Sequence, residues 1–240
     1  MVQRRHLMIS GASRGIGRAI AERCLAEGHR ISLGVRQPAA LDGCLLGETA
    51  RAEPDRLLLH PYEASQPASA EAWVATTRRR FGAVDGLIHC AGIFSRLGLR
   101  FEPGEEAEIE RLWRVNLMGP WWLSRAAWPL LAAAGDGRVI TLVSMSGRRV
   151  KGSLAAYGTS KFALMGLCQA MRNEGWDQGI RVTAICPGWV NTDMAAAVSA
   201  LPKEAMTQPQ DLAEMITMLL RLPASCVPFE VAVNCVLEKA

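Results

Sequence analysis

The chain has 240 residues, of which 50% are hydrophobic and 21% are charged, and its formal net charge is +4. This composition excludes a disordered protein, and the longest apolar run, residues 126–134, is about half of the roughly 20 residues that cross a membrane. The 7 cysteines are scattered without a C-x-x-C pair, so we expect reduced thiols in a cytoplasmic protein, with no disulfide framework and no metal site.

No long unbroken apolar stretch follows Arg4 and Arg5 at the start of the chain. We therefore expect no secretory or twin-arginine signal. Further along, short apolar runs alternate with stretches of helical spacing. The apolar runs predict strands near residues 6–10, 30–35, 56–60, 84–89, 138–143, 180–186 and 229–234. The stretches of helical spacing predict helices near residues 15–27, 38–52, 67–81, 105–134, 156–177 and 209–221.

This alternation of strands and helices is typical of repeated βαβ units. Right-handed crossovers then give an α/β fold, a Rossmann-like, doubly wound sheet of seven parallel strands with helices on both faces. No linker rich in Pro, Gly or Ser divides the chain, so we expect a single domain over residues 1–240. Ligands of such sheets bind beyond the carboxyl ends of the strands, where functional motifs are therefore expected.

A glycine-rich segment follows the first predicted strand. Residues 10–17 read S-G-A-S-R-G-I-G and lead directly into a helical pattern. Glycines allow a tight turn and a close approach of the backbone to a pyrophosphate, and the amino end of a helix attracts phosphate. The segment therefore predicts a dinucleotide-binding loop, although three glycines in a turn are also compatible with a purely structural role.

The end of the second predicted strand bears on the choice of cofactor. A carboxylate there would bind the ribose hydroxyls of NAD, but this chain has Arg36 and no acid. Arg36 and Arg14 are suited to bind the 2′-phosphate of NADP, so NADP(H) is favoured over NAD(H). The alternative is that both are ordinary surface arginines.

The basic residues do not indicate a nucleic-acid partner. The longest basic run, residues 78–80, closes a helical pattern whose carboxyl end favours cations. A weak polyanion patch is the alternative reading of this run.

A tyrosine and a lysine at helical spacing are the most specific signal. Only 2 residues are tyrosines and 4 are lysines, yet Tyr157 and Lys161 stand four apart, so their side chains share a helix face. A neighbouring ammonium favours the phenolate of a tyrosine and so lowers its pKa, which makes it a better acid and base. Ser144, just after the fifth predicted strand, is placed to bind a substrate oxygen. A core tyrosine beside a lysine that reaches solvent is the alternative.

Together these motifs resemble the short-chain dehydrogenase/reductase family along essentially the whole chain. Residues 10–17 are similar to the family's T-G-x-x-x-G-x-G, and residues 187–192 to its P-G-x-x-x-T. The resemblance implies that Ser144, Tyr157 and Lys161 are catalytic, and that Asn116 is catalytic by holding a water for proton relay. It further implies a cofactor site made of Gly11, Ser13, Arg14, Gly15, Ile16, Gly17, Arg36, Glu63, Ala64, Ala91, Gly92, Tyr157, Lys161, Pro187, Gly188, Val190 and Thr192.

Two positions depart from the family pattern. Cys90 stands where the family has a strand-bridging asparagine, and a thiol cannot make the hydrogen bonds of an amide. Glu63 stands where the family often has an aspartate near the adenine, and a solvated loop carboxylate is the alternative reading. His89 precedes Cys90, but neighbours on a strand point to opposite faces, so no metal pair is expected.

The resemblance implies an NADP(H)-dependent enzyme that interconverts a small or medium-sized secondary alcohol and its carbonyl compound. Tyr157 would exchange the proton, Lys161 would bind the nicotinamide ribose, and Val190 and Thr192 would hold the carboxamide. The alternative is a non-catalytic dinucleotide-binding protein, but such a protein has no need of the full catalytic set. A lyase or dehalogenase on the same fold is disfavoured by the intact cofactor loops.

The substrate and the partners are less marked in the sequence. Residues 93–100, 145–154 and 189–206 are expected to line the substrate pocket, and Arg148 and Arg149 are too common a residue type to assign to an anionic substrate. The resemblance implies a homodimer or homotetramer. Trp121 and Trp128, seven apart and so on one helix face, are a candidate seam, with core packing as the alternative.

Overall fold

The computed structural model describes residues 4–196 and 201–236 of the chain. Seven strands form one sheet in the order β3-β2-β1-β4-β5-β6-β7, and every pair of neighbours is parallel. The strands are β1 His6–Ser10, β2 Arg30–Val35, β3 Leu57–Pro61, β4 Gly86–His89, β5 Arg138–Leu142, β6 Arg181–Pro187 and β7 Glu230–Val233. The predicted seven-stranded, doubly wound parallel sheet is therefore confirmed, with closely matching strand positions.

Helices lie between the strands. They are α1 Gly15–Ala26, α2 Leu45–Ala52, α3 Pro67–Phe81, α4 Glu106–Trp113, α5 Gly119–Ala133, α6 Ala155–Gly175, α7 Asp193–Ala196 and α8 Pro209–Arg221. Within the described residues, no helix combines the length and the apolar character that a bilayer span requires.

Side chains of alternate strand residues build two apolar cores, one on each face of the sheet. In β1, Leu7 and Ile9 belong to one core and Met8 to the other, because successive side chains of a strand point to opposite faces. Residues of α1, α2 and α8 complete the first core, and residues of α3, α5 and α6 complete the second. Helices therefore cover both faces of the sheet, as the sequence predicts.

Two predicted helices are interrupted. The helix predicted over 38–52 is a 3-10 turn at Pro38–Leu41 followed by α2, with Gly43 at a positive φ of 72° between them. The helix predicted over 105–134 is α4, a wider π turn at Arg114–Met118, and α5. Hydrophobic spacing does not reveal a π turn, because it adds only one residue to the helical repeat.

The strand order reverses between β1 and β4, which are neighbours in space but not in sequence. The chain proceeds outward from β1 through β2 to β3 and then returns to the other side of β1. Loops after β1 and β4 diverge at this point and leave a crevice at the carboxyl ends of the strands. Ser10 closes β1 and His89 closes β4, so the glycine-rich segment and the residues after His89 border this crevice.

Backbone strain is concentrated just beyond the end of β5. Ser144 has φ 142° and ψ 157° and is the non-glycine residue with positive φ among those described. This conformation is almost restricted to glycine and costs about 1–3 kcal/mol. The tight turn at Met145–Gly147 follows directly, and a Cβ added to Gly147 would lie 2.8 Å from the Lys161 carbonyl oxygen. Close packing of this turn against α6 therefore holds Ser144 in its strained conformation.

Replacement of Ser144 should reveal this strain as a difference between two variants. Ser144→Gly relieves the strain, whereas Ser144→Ala keeps it, and both remove the hydroxyl. After allowance for the greater flexibility of an unfolded glycine, the Gly variant should have the larger free energy of unfolding, by about 1 kcal/mol. Urea denaturation of the two variants measures this difference. An Ala variant that is as stable as the Gly variant would show that Ser144 is not strained.

Candidate active site

Three of the four predicted catalytic side chains meet in one cavity at the carboxyl edge of the sheet. Ser144 follows β5, whereas Tyr157 and Lys161 lie one turn apart on α6. Tyr157 shares a hydrogen bond with the Ser144 side chain, and Lys161 Nζ lies 5.8 Å from the centre of the Tyr157 ring. All three line a cavity of about 280 Å³. A carbonyl group in this cavity would meet two hydroxyl groups beside a buried amine.

Burial dominates the ionisation of this pair. It lowers the pKa of Lys161 to about 8, and the Lys161 ammonium donates a hydrogen bond to the Leu142 carbonyl at 3.1 Å. Burial raises the pKa of Tyr157, and the hydrogen bond with Ser144 offsets only part of that effect. The expected lowering of the Tyr157 pKa is therefore not found for the protein alone, because desolvation of the phenolate outweighs the hydrogen bond with Ser144.

The fourth predicted residue, Asn116, is fully buried in the π turn and does not line the cavity. Its amide accepts a hydrogen bond from Ile93 N at 2.8 Å and donates to Ile93 O at 3.0 Å and to Ser160 Oγ at 3.1 Å. Ser160 in turn donates to the Tyr157 carbonyl at 2.7 Å. Asn116 thus ties the loop after β4 to α6, which positions Tyr157, while its role in a water relay stays a prediction.

The glycine-rich segment forms a cradle that tolerates no larger side chains. Gly11 has φ 70°, and a Cβ added there would lie 2.7 Å from Ala91 N. A Cβ added to Gly17 would lie 2.4 Å from Gly11 O. Such distances are shorter than any real Cβ contact, so both positions require glycine. The turn therefore brings bare backbone to the amino end of α1, where N–H groups bind phosphate.

A second cavity of about 360 Å³ runs along this cradle and joins the first. The two share Ile16, Gly92 and Thr192, so they form one continuous cleft. All predicted cofactor residues line one cavity or the other. The second holds Gly11, Ser13, Arg14, Gly15, Gly17, Arg36, Glu63, Ala64 and Ala91, and the first holds Tyr157, Lys161, Pro187, Gly188 and Val190. The glycine cradle and the continuity of the two cavities fit a nicotinamide dinucleotide.

Ser10 bridges the strand ends at the position of Cys90. Its hydroxyl accepts hydrogen bonds from Cys90 N at 3.1 Å and from Ala91 N at 3.2 Å, and so links the ends of β1 and β4. His89 is buried and contacts Ser124 Oγ at 2.9 Å, and its burial lowers its pKa to about 3. Within residues 4–196 and 201–236, no cluster of potential ligands could hold a metal ion.

The charged residues of the second cavity have different roles. The Glu63 carboxylate accepts hydrogen bonds from Ser65 N at 3.1 Å and Ser65 Oγ at 3.0 Å, so it closes a local turn. Arg14 pairs with Asp193 at 3.3 Å in an exposed position. Arg36 is exposed and forms no ion pair within the described part of the chain, which leaves its guanidinium available to a ligand.

Two residues of the first cavity lie in the segments 93–100 and 145–154 that were expected to line the pocket, but they were not named individually. Phe94 lies with its ring centre 4.9 Å from that of Tyr157, and Lys151 lines the cavity. The signal that could have identified both residues is their position after a strand, since Phe94 follows β4 and Lys151 follows β5. Arg148, in contrast, pairs with Glu230 of β7. Of the segment expected to line the pocket over 189–206, residues 197–200 lie outside the described residues.

The tryptophans of the α4–α5 region divide into two groups. Trp113 and Trp121 are exposed, whereas Trp122 and Trp128 pack against the core. Trp128 also donates a hydrogen bond to Gln178 Oε1 at 3.2 Å. Trp121 and Trp128 therefore do not form one uniform exposed stripe, and Trp121 is the member that remains available to a partner.

Several known proteins are similar to this chain in sequence. A family model described as short chain dehydrogenase matches residues 5–202. Agropine synthesis reductase of Rhizobium rhizogenes is 35% identical over 219 residues, which cover 90% of this chain but only 49% of the relative. The 3-oxoacyl-(acyl-carrier-protein) reductase FabG of Escherichia coli is 33% identical over 193 residues, or 80% of this chain and 76% of the relative. The chain thus spans about half the length of the agropine synthesis reductases that it matches.

Solved structures are similar over nearly the whole chain. An alcohol dehydrogenase from the archaeon Thermococcus sibiricus, complexed with 5-hydroxy-NADP, has a TM-score of 0.88 and 28% identity and covers 99% of both chains. The FabG reductase of Bacteroides thetaiotaomicron has a TM-score of 0.81 and 29% identity over 97% of both. From the family match, the strand order and the cleft at the carboxyl edge of the sheet, we conclude that the chain belongs to the short chain dehydrogenase family of NAD(P)-dependent oxidoreductases.

Proposed function

We propose that this chain uses NADP(H) to interconvert a small or medium-sized secondary alcohol and its carbonyl compound. The observation that carries the proposal is the convergence of Ser144, Tyr157 and Lys161 on a cavity that continues into the glycine-lined cleft. When bound, the nicotinamide ring supplies or accepts a hydride at its C4 atom. The protein's part is to position the carbonyl and to move one proton.

Ser144 and Tyr157 would hold the carbonyl oxygen by hydrogen bonds, which stabilise the negative charge that develops there. In reduction the Tyr157 hydroxyl donates the proton to this oxygen, and in oxidation its phenolate removes the proton from the alcohol. Lys161 would bind the nicotinamide ribose and attract the Tyr157 oxygen. Val190 and Thr192, which line the same cavity, would hold the carboxamide.

The preference for NADP(H) rests on the arginines of the second cavity. Arg36 follows β2 and lines the cleft without an ion pair in the described part of the chain. An arginine binds a phosphate through charge-assisted hydrogen bonds, and no carboxylate stands at the end of β2 to repel it. Arg14 lines the same cavity, where a phosphate would compete with Asp193 for its guanidinium.

The proposal also covers the domain organisation, the oligomeric state and the location of the enzyme. We expect a single domain that forms a homodimer or homotetramer in the cytoplasm and acts on a small molecule. Trp121 on α5 is 50% exposed, which is unusual for a large apolar side chain and consistent with a subunit interface. No feature of the cleft or of the described surface calls for a nucleic acid or a membrane.

Tyr157→Phe should lower kcat/KM for any reduced substrate by at least about 100-fold, because it removes the acid and base of the reaction. The Kd for NADPH should change little, since the benzene ring and Lys161 remain. A panel of ketones and aldehydes, assayed by NADPH consumption, measures the first, and nicotinamide fluorescence measures the second. Turnover retained by the variant would refute the role of Tyr157. Binding of NADPH without turnover by the wild type would instead favour a non-catalytic binding protein.

Arg36→Asp should shift the cofactor preference from NADP(H) toward NAD(H). Loss of the charged hydrogen bonds should raise the Kd for NADPH by about 10- to 100-fold relative to that for NADH. Arg78→Asp is the matched control, because Arg78 is an exposed residue of α3 outside both cavities. An unchanged ratio of the two Kd values in Arg36→Asp would mean that another residue binds the 2′-phosphate.

A further inference from the structure

Tyr157 lies at the border between a polar and an apolar part of the first cavity. Its side chain shares a hydrogen bond with Ser144, whereas its ring belongs to a small apolar cluster with Leu112 and Ala156. Phe94 packs against this cluster, with its ring centre 4.9 Å from that of Tyr157 and its plane tilted by 58°. Phe94 also lines the cavity. A carbonyl group held by Tyr157 and Ser144 therefore has an aromatic side chain beside it.

The wall around this position consists of aromatic and aliphatic side chains from five separate segments. They are Phe94 after β4, Met145 after β5, Leu154 before α6, Trp189 after β6 and Met194 in α7. Met194 is 40% exposed and lines both cavities. An exposed apolar side chain in a cleft loses its contact with water when a ligand covers it. Such surfaces are therefore typical of ligand sites.

The charged side chains of the first cavity do not call for a charged substituent. Lys161 belongs to the proposed reaction, and Arg149 already interacts with another part of the protein, so we assign it no part in substrate binding. Lys151 is exposed, and an exposed lysine keeps its ammonium in water while its methylene groups cover apolar surface. Within the described residues, no aspartate or glutamate lines this cavity, so a cationic substituent has no partner there either. An uncharged, apolar substituent fits this wall best.

We infer that the substrates of this enzyme are uncharged ketones whose larger substituent is an alkyl or aryl group, packed against Phe94 and Met194. The inference rests on the proposed function and names its substrate class. In reduction, a hydride from NADPH forms the new C–H bond at the carbonyl carbon and the π bond of the C=O group breaks. The oxygen takes a proton from Tyr157, which solvent replaces, so the products are NADP⁺ and a secondary alcohol. Phe94 and Met194 are thus specificity-determining residues, which act on the substituent and not on the reacting group.

The first test compares three methyl ketones of nearly equal length that differ in the polarity of the larger substituent. They are 2-heptanone, 5-methoxypentan-2-one, in which an ether oxygen replaces one methylene, and 5-oxohexanoate, which ends in a carboxylate. NADPH consumption gives kcat/KM for each ketone. The wild type should prefer 2-heptanone by about 10-fold over the ether and by about 100-fold over the acid, because an oxygen or a charge loses its hydration against an apolar wall.

A second test varies the length of the substituent. In a series of methyl ketones from butanone to 2-heptanone, each added methylene should raise kcat/KM of the wild type by about 3-fold until the wall is covered. The reason is that each methylene leaves water for the apolar wall. A kcat/KM that does not rise with length would contradict the inference.

Phe94→Ala should lower the ratio of kcat/KM for 2-heptanone to that for butanone by about 3- to 10-fold, because the longer substituent loses its aromatic contact. The ratio does not depend on the fraction of folded enzyme or on a general loss of activity from a displaced Tyr157, since both ketones share these effects. Phe94→Leu, which keeps a large apolar side chain, should retain most of the ratio. Phe101→Ala is the matched control, because Phe101 is an exposed residue of the same loop outside both cavities.

Met194→Gln places an amide on the wall with little change of shape. This variant should lower the ratio of kcat/KM for 2-heptanone to that for 5-methoxypentan-2-one by about 5-fold, because covering the amide with an alkyl group costs hydrogen bonds to water. Met218→Gln is the matched control and should leave this ratio unchanged. Met218 lies on α8, is 45% exposed and lines neither cavity.

Three results would overturn the inference. One is a wild type that reduces 5-methoxypentan-2-one or 5-oxohexanoate at least as well as 2-heptanone. Another is that Phe94→Ala and Met194→Gln change their ratios no more than the two control variants do. Both leave the proposed carbonyl reduction intact. If none of these ketones is reduced although other carbonyl compounds are, the substrate class is wrong, and if no carbonyl compound is reduced, the proposed function itself fails.

Discussion

The parallel direction of all seven strands is the constraint on which the rest of this structure depends. The carboxyl ends of parallel strands all lie at one edge of the sheet. The strand order reverses between β1 and β4, and this leaves a crevice at that edge. The glycine cradle follows β1, Arg36 follows β2, and Ser144 follows β5. Residues far apart in the chain therefore line one cleft because each ends or follows a strand. Tyr157 and Lys161 come instead from α6, and the Asn116 amide fixes this helix to the loop after β4.

Features that disfavour folding are concentrated in this cleft. Among the described residues, Ser144 is the non-glycine residue with a positive φ, and Lys161 is buried where its charge is poorly solvated. Close packing of the turn after β5 against α6 holds Ser144 in its strained conformation and Lys161 in its buried position. Strain and buried charge are expected where a protein fixes reactive groups before the substrate arrives. The raised pKa of Tyr157 keeps its hydroxyl protonated, which suits the proton-donor role that we propose for it in reduction.

The sequence predicts the strands, the glycine cradle and the Tyr157–Lys161 pair well, because each depends on local patterning. It does not predict the π turn around Asn116, since that turn is set by hydrogen bonds to Ile93 and Ser160 from distant segments. Nor does it distinguish Arg148 from Arg149, which are identical neighbours until the loop places one against Glu230 and the other in the cavity. The direction in which the Tyr157 pKa shifts also depends on how deeply the side chain is buried. The spacing of residues along a helix does not predict that burial.

The central claim is that the cleft at the carboxyl edge of the sheet holds a nicotinamide dinucleotide next to Ser144 and Tyr157. Titration of the wild-type protein into NADPH, followed by the fluorescence of the nicotinamide, tests this most directly. The account predicts saturable binding of one NADPH per chain, with NADP⁺ as a competitor. Absence of saturable binding of both NADPH and NADH would contradict it.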